Sequence, residues 1–148
     1  MIRQLAIATT LACALWSAGA SAERSAAAPG AKVYFVNLKN GDTVSSPFKV
    51  VFGLDGMKVA PAGTQTAHTG HHHLLIDRAP IGRGAKGGQE LGMSLPADKQ
   101  HLHFGKGQTE TMLTLAPGKH TLQLVLGDGM HVPHDKPVAS DVITVTVK

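Results

Sequence analysis

Nine of the 148 residues are histidine, and seven of these fall into three short groups. The first lies in Gly70-His71-His72-His73-Leu74-Leu75-Ile76-Asp77. Side chains alternate across a strand, so His71 and His73 share one face while His72, Leu74 and Ile76 share the other and read as core-facing. Residues two apart on one face are about 7 Å apart, and two such imidazoles can converge on one ion through bonds of ~2.0–2.1 Å. The second group is His101-Leu102-His103-Phe104, in which Leu102 and Phe104 turn inward and the two histidines outward. The third, Gly127-Asp128-Gly129-Met130-His131-Val132-Pro133-His134-Asp135, is a loop by its Gly and Pro content. Loops on a rigid frame commonly carry binding groups. His131, His134 and Asp135 are candidate ligands there, and a carboxylate can also orient a ligating imidazole. The candidate metal ligands are therefore His71, His73, His101, His103, His131 and His134.

Imidazole and carboxylate donors suit copper, zinc or nickel, and a Met130 thioether would favour copper. The only Cys, Cys13, precedes the region that reads as a folded domain, which excludes thiolate zinc and blue-copper ligation there. Ligating imidazoles must be neutral, so binding is expected to weaken as pH falls through about 6.5. The two remaining histidines fit other roles. His120 follows the inward face of its strand, and His68 sits in the polar run 64–70.

Other chemistry finds little support. There is no H-E-x-x-H, G-x-S-x-G or P-loop, and nothing places a nucleophile beside a base, so no catalytic residue is assigned. Gly82-Arg83-Gly84-Ala85-Lys86-Gly87 spells G-x-G-x-x-G. A dinucleotide site would need a helix after it, and none is expected, so no nucleotide or organic cofactor is assigned. The formal net charge of +4 is too small for a dedicated nucleic-acid binder. With 43% hydrophobic and 16% charged residues, the chain is too apolar to be disordered.

The elements that must carry the histidines are strands. Phe48, Val50, Phe52 and Leu54 alternate with polar neighbours, as do His120, Leu122, Leu124 and Leu126, and Ile143, Val145 and Val147. Residues 33–38, 70–77 and 109–115 add three more strand candidates. Asn40-Gly41-Asp42 reads as a turn, and Pro117-Gly118 as the turn of a hairpin. The expected fold is all-β, an immunoglobulin-like β-sandwich of about seven strands. The connection 78–100, with five Gly and two Pro, is unusually long and reads as functional or mobile.

Residues 1–22 read as a secretory signal peptide. Arg3 is followed by an apolar stretch from Leu5 to Trp16 and then Ala20-Ser21-Ala22, with cleavage before Glu23. A lipoprotein reading at Cys13 leaves too little apolar core. Residues 23–31 have linker composition and read as a flexible lead-in, and 32–148 form the expected sandwich domain. The expected location is periplasmic or secreted, with no stable membrane span after cleavage.

The ordered combination His71-His72-His73-Leu74-Leu75-Ile76-Asp77, His101-Leu102-His103-Phe104-Gly105, Ala116-Pro117-Gly118-Lys119-His120-Thr121-Leu122-Gln123-Leu124 and Asp128-Gly129-Met130-His131-Val132-Pro133-His134 resembles a bacterial family of secreted domains of unknown function. The resemblance implies an extracytoplasmic single-domain protein and no particular activity. A looser similarity, to CopC-type copper-binding sandwiches and Cu/Zn superoxide dismutase, implies only that such frames can mount histidines. The leading expectation is a histidine-rich module that binds or handles copper or zinc. The alternative is a non-catalytic interaction module without metal, its partner a periplasmic protein. An acid sensor built on the titration of many histidines is a third reading.

Overall fold

Alternating apolar residues build two sheets that face one another across a single main core. The structure, a computed structural model, describes residues 24–148, and the signal peptide expected over 1–22 lies outside them. The strands in chain order are β1 (Lys32–Phe35), β2 (Thr43–Val44), β3 (Phe48–Asp55), β4 (Lys58–Val59), β5 (Thr69–Ile76), β6 (His101–His103), β7 (Glu110–Leu113), β8 (Gly118–Gly127) and β9 (Ile143–Val147). One sheet has the order β1-β3-β7. The other runs β2-β9-β8-β5-β4, and β6 also pairs with β5. Pairing is antiparallel except for β2 with β9 and β4 with β5. The architecture is an all-β, two-sheet sandwich, with the short edge strands β2 and β4 raising the count above the expected seven.

The main core is the set that the alternation marks. Phe48, Val50 and Phe52 of β3 face Leu74 and Ile76 of β5, Leu122, Leu124 and Leu126 of β8, and Ile143, Val145 and Val147 of β9. His120 stands opposite the fully buried Val145, in the inward-facing series with Leu122, Leu124 and Leu126, but near the start of β8 its side chain is 15% exposed and pairs with Asp77. The turn at Asn40-Gly41-Asp42 forms, with Gly41 at φ 90° and the Asp42 amide bonded to the Lys39 carbonyl. The Pro117-Gly118 hairpin does not. β7 pairs with β3 and β8 with β5 and β9, so this segment crosses between sheets.

A second, smaller core lies on the outer face of the larger sheet. There Leu75 and Val125 are covered by Ile81, Leu91 and Leu95 of the long connection. The connection holds a short helix, α1 (Gly84–Gln89), and a 3-10 turn, Glu90–Gly92, where no helix is expected from the sequence. Gly-rich composition disfavours helix, and this one is held by packing of the connection onto the sheet. The Ile81 amide donates to Gln123 Oε1 at 3.0 Å, and the Leu95 amide to the His131 carbonyl at 2.8 Å. Every residue of β5 is consequently buried. The lead-in is irregular but tied down. Ser25 Oγ donates to Asp128 Oδ2 at 2.7 Å, the Ala27 amide to Asp135 Oδ1 at 2.9 Å, and the Arg24 guanidinium to the carbonyls of Pro133 and His134.

Candidate metal centre

Register places the first two groups of histidines side by side. On the outer face, His73 of β5 lies opposite His103 of β6 on one side and Val125 of β8 on the other, and His71 lies opposite Gly127. Two glycines make room for the rings. A Cβ at Gly127 would sit 2.8 Å from His73 Nε2, and one at Gly105 would sit 2.3 Å from His103 Cε1.

The third contributor comes from the loop after β8. Asp128 Oδ1 accepts the amides of Met130 at 2.8 Å and Val132 at 2.9 Å, while the Asp128 carbonyl accepts the His131 amide at 2.9 Å. This tight turn puts His131 at its tip with φ 65°, a left-handed conformation that a non-glycine residue holds only when its surroundings fix it. The Leu95 bond to the His131 carbonyl secures the far side.

Four imidazoles meet as a result. His71, His73, His103 and His131 each offer a ligand atom, and these atoms all lie within 4.8 Å of one another. His71 Nε2 is 3.0 Å from His131 Nδ1 and 3.1 Å from His73 Nε2. Nitrogens bound tetrahedrally to one ion at ~2.0–2.1 Å stand about 3.3 Å apart, so the closest pairs already approach ligand spacing. His103 packs with its ring centroid 4.9 Å from that of His71 and 4.6 Å from that of His131.

Two of the six expected ligands lie outside this group. His101 is opposite Leu75 rather than His73, one step farther along the strand pair. Its Nε2 reaches His73 Nδ1 at 3.2 Å, and its Nδ1 accepts from Arg78 Nη1 at 2.8 Å. Arg78 in turn pairs with Glu90 at the start of the 3-10 turn, both side chains being nearly buried. His134 is fully buried, and its Nε2 donates to the Thr69 carbonyl at 3.3 Å. Asp135, the third loop candidate, accepts the amides of Ala27 and Lys136 and is exposed. Met130 is 62% exposed. His72 faces inward as expected, its ring centroid 5.1 Å from that of Phe52. His68 is exposed, with φ 57°.

Burial disfavours the charged form of His71, His73, His101 and His103. It pushes His71 down to about 4, with the charges of His103 and His131 adding to the effect. His73 is pushed to about 2 by burial and then by His71, His101 and His103. His101 falls to about 4 through burial and the Arg78 charge, and His103 is lowered by burial and His131. Buried histidine disfavours its charged form, so His71 and His73 stay unprotonated well below the pH of about 6.5 expected for free rings, and His103 shifts in the same direction. Asp128 is drawn upward by burial, yet bonds from Ser25, Val132 and Met130 and the His134 charge hold it below the usual carboxylate value.

Three residues that shape the site were not marked by the sequence pattern. Asp128 is followed by Gly129, the Asx-turn composition that could have flagged it. Arg78 and Glu90 carry no such signal, because they stand twelve positions apart in a Gly-rich connection before they meet.

No curated protein and no solved structure matches the chain, and the looser likeness to copper-binding sandwiches accordingly gains nothing from known proteins. Among the described residues no helix is long and apolar enough to cross a membrane. A family model described as Domain of unknown function (DUF4399) matches residues 50–148, a span that takes in all three histidine groups, and the chain belongs to that family.

Proposed function

We propose that this protein is a metal-binding module that holds one copper or zinc ion at the outer-face histidine cluster. The observation that carries the reading is the position of His71 Nε2, 3.0 Å from one ring nitrogen and 3.1 Å from another. A neutral imidazole nitrogen has one proton or one lone pair, too few for a separate hydrogen bond to each neighbour. A cation is the partner that draws several imidazoles to one point. Burial that holds shifted rings of the cluster neutral serves the same end, since ligating histidine must be unprotonated. All-nitrogen donors suit both Zn(II) and Cu(II), with Cu(II) favoured by intrinsic affinity. The proposed role is binding or handling, since the sequence sets no side-chain nucleophile beside a base. The secretory character of residues 1–22 supports a periplasmic or secreted location.

The test is differential scanning of the metal-free protein with and without Zn(II) or Cu(II), together with metal content after purification. A ligand that binds only the native state raises the melting temperature, by about 2.7 kcal/mol of stability at a hundredfold excess over Kd. One ion per chain and a metal-dependent rise support the site. No rise with either ion removes it and leaves the metal-free interaction module.

A further inference from the structure

Hydrogen-bond polarity distinguishes His73 from the other three rings. Arginine has donors and no acceptor, so the 2.8 Å contact from Arg78 Nη1 makes His101 Nδ1 an acceptor. The single proton of His101 is then on Nε2, where it faces His73 Nδ1 at 3.2 Å. His73 Nδ1 must accept that proton's bond, which leaves the His73 proton on Nε2, the nitrogen that faces His71 at 3.1 Å. Glu90 fixes the head of the chain by pairing with Arg78 in a nearly buried setting. The usual arrangement for a ligating histidine has the opposite sense, its non-ligating N–H donating outward to a carbonyl or carboxylate.

Building on the metal-site reading, we infer that Glu90, Arg78 and His101 are positioning residues that hold His73 as a hydrogen-bond donor to the site. The ion is then held by His71, His103 and His131, and its fourth position takes a small oxygen or anionic ligand. When the lone pair of His71 turns to the ion, His73 Nε2–H loses its acceptor. His73 is fully buried, and a buried N–H without a partner is costly. Hydroxide or another small anion on the ion supplies the missing acceptor. Three protein ligands with one exchangeable position is the pattern of open rather than purely structural sites.

The full chain carrying ¹⁵N-labelled histidine tests this by long-range proton–nitrogen correlation spectra, first metal-free and then with one equivalent of Zn(II). In the metal-free protein His73 is expected to show the Nε2–H tautomer, and the Nδ1–H tautomer would overturn the chain. With Zn(II), nitrogens of His71, His103 and His131 are expected to move to metal-bound shifts while His73 stays Nε2–H. A metal-bound His73 nitrogen would overturn the three-ligand assignment. If Zn(II) moves none of the rings, the metal site itself fails, and with it the fourth-position ligand. The metal-free spectrum separates that result from a failure of the tautomer chain. Arg78→Met combined with Glu90→Gln removes the fixed polarity without leaving a lone buried charge. It frees His73 to ligate, so Zn(II) affinity should rise by about tenfold, within the range that such supporting partners control. A fall or no change would show that Arg78 and Glu90 act on the fold alone.

Discussion

Leu74 and Leu75 are neighbours in β5 and both are almost fully buried, yet they belong to different cores. Leu74 points into the space between two regular sheets, where Leu124 of β8 and Phe52 of β3 share the main cluster. Leu75 points outward, where closure depends on an irregular connection that carries Ile81 and Leu95. The histidines divide the same way, His72 inward and His71 with His73 outward. The inner face is closed by elements whose alternation is written along every strand. On the outer face, apolar burial continues only as far as Leu75 and Val125, and beyond them four imidazoles fill the space. Burying polar rings costs free energy unless they find partners. The outer face therefore spends part of the stability that the inner face supplies, and gains a set of convergent nitrogens.

The sharpest way to break the comparison is to damage each face separately. Leu74→Ala should cost about 2–5 kcal/mol, the usual range for a large-to-small change in a packed core. Denaturant unfolding of the metal-free protein measures it. Zn(II) affinity of the folded protein should be unchanged, and a parallel loss of affinity would show that the two faces are not separable. His71→Ala should do the reverse, lowering Zn(II) affinity by about a hundredfold, equivalent to about 2.7 kcal/mol of binding. Metal-free stability should change little, because removing a ring with an unpartnered Nδ1 is offset by the loss of the acceptor that faces His73 Nε2–H. Isothermal titration against a competing chelator reads the affinity, and an unaltered value would remove His71 from the site.

His72 sharpens the comparison from the other side. It occupies a core position, fully buried against Phe52, with no hydrogen bond of good geometry to either ring nitrogen and at most a loose one to the Gln108 backbone. A polar ring left unsatisfied costs about 1–3 kcal/mol. His72→Leu should therefore stabilise the protein by about 1–2 kcal/mol in thermal unfolding while leaving Zn(II) affinity alone. Destabilisation would mean that the imidazole contributes something in the core that its contacts do not reveal.

The inner face was legible in the sequence and the outer face only in part. Period-two alternation marks which side chains of β3, β5, β8 and β9 point together, since pleating alone dictates it. That was enough to separate His72 from His71 and His73 and to set His101 and His103 outward. It does not fix register. A shift of one residue pair decides whether His101 or His103 lies opposite His73, and the observed pairing selects His103. In the loop, both His131 and His134 fitted the pattern. The turn built on Asp128 presents the first, whereas the second turns toward the Thr69 carbonyl. The cover over the outer face was illegible for a further reason. Leu91 and Leu95 are four apart, but this single spacing is too short to mark an element and Ile81 stands ten residues before Leu91, so the Gly-rich connection gives little sign that it packs.

The smallest effect belongs to the histidine that lies in neither core. His120 donates from Nδ1 to Asp77 Oδ2 at 2.6 Å and from Nε2 to the Ala116 carbonyl at 2.8 Å. Both contacts need a proton, so the pair favours the charged ring, and the hydrogen bond to Asp77 leads in raising its pKa above the ordinary 6.5. A raised folded-state value means that the native protein holds this proton more tightly than the unfolded chain does. The resulting stability is complete below pH 6.5 and is lost as pH rises through the folded value. The outer-face rings that shift move in the opposite sense, because burial favours their neutral form. His120→Gln should therefore lower stability at pH 5.5 by about 1 kcal/mol or less, as for other partly exposed ion pairs. The deficit should shrink by pH 8.5 and weaken with added salt. Thermal unfolding of both proteins across that interval reads the difference, and a deficit that grows with pH would show that Asp77 does not hold the ring in its charged form.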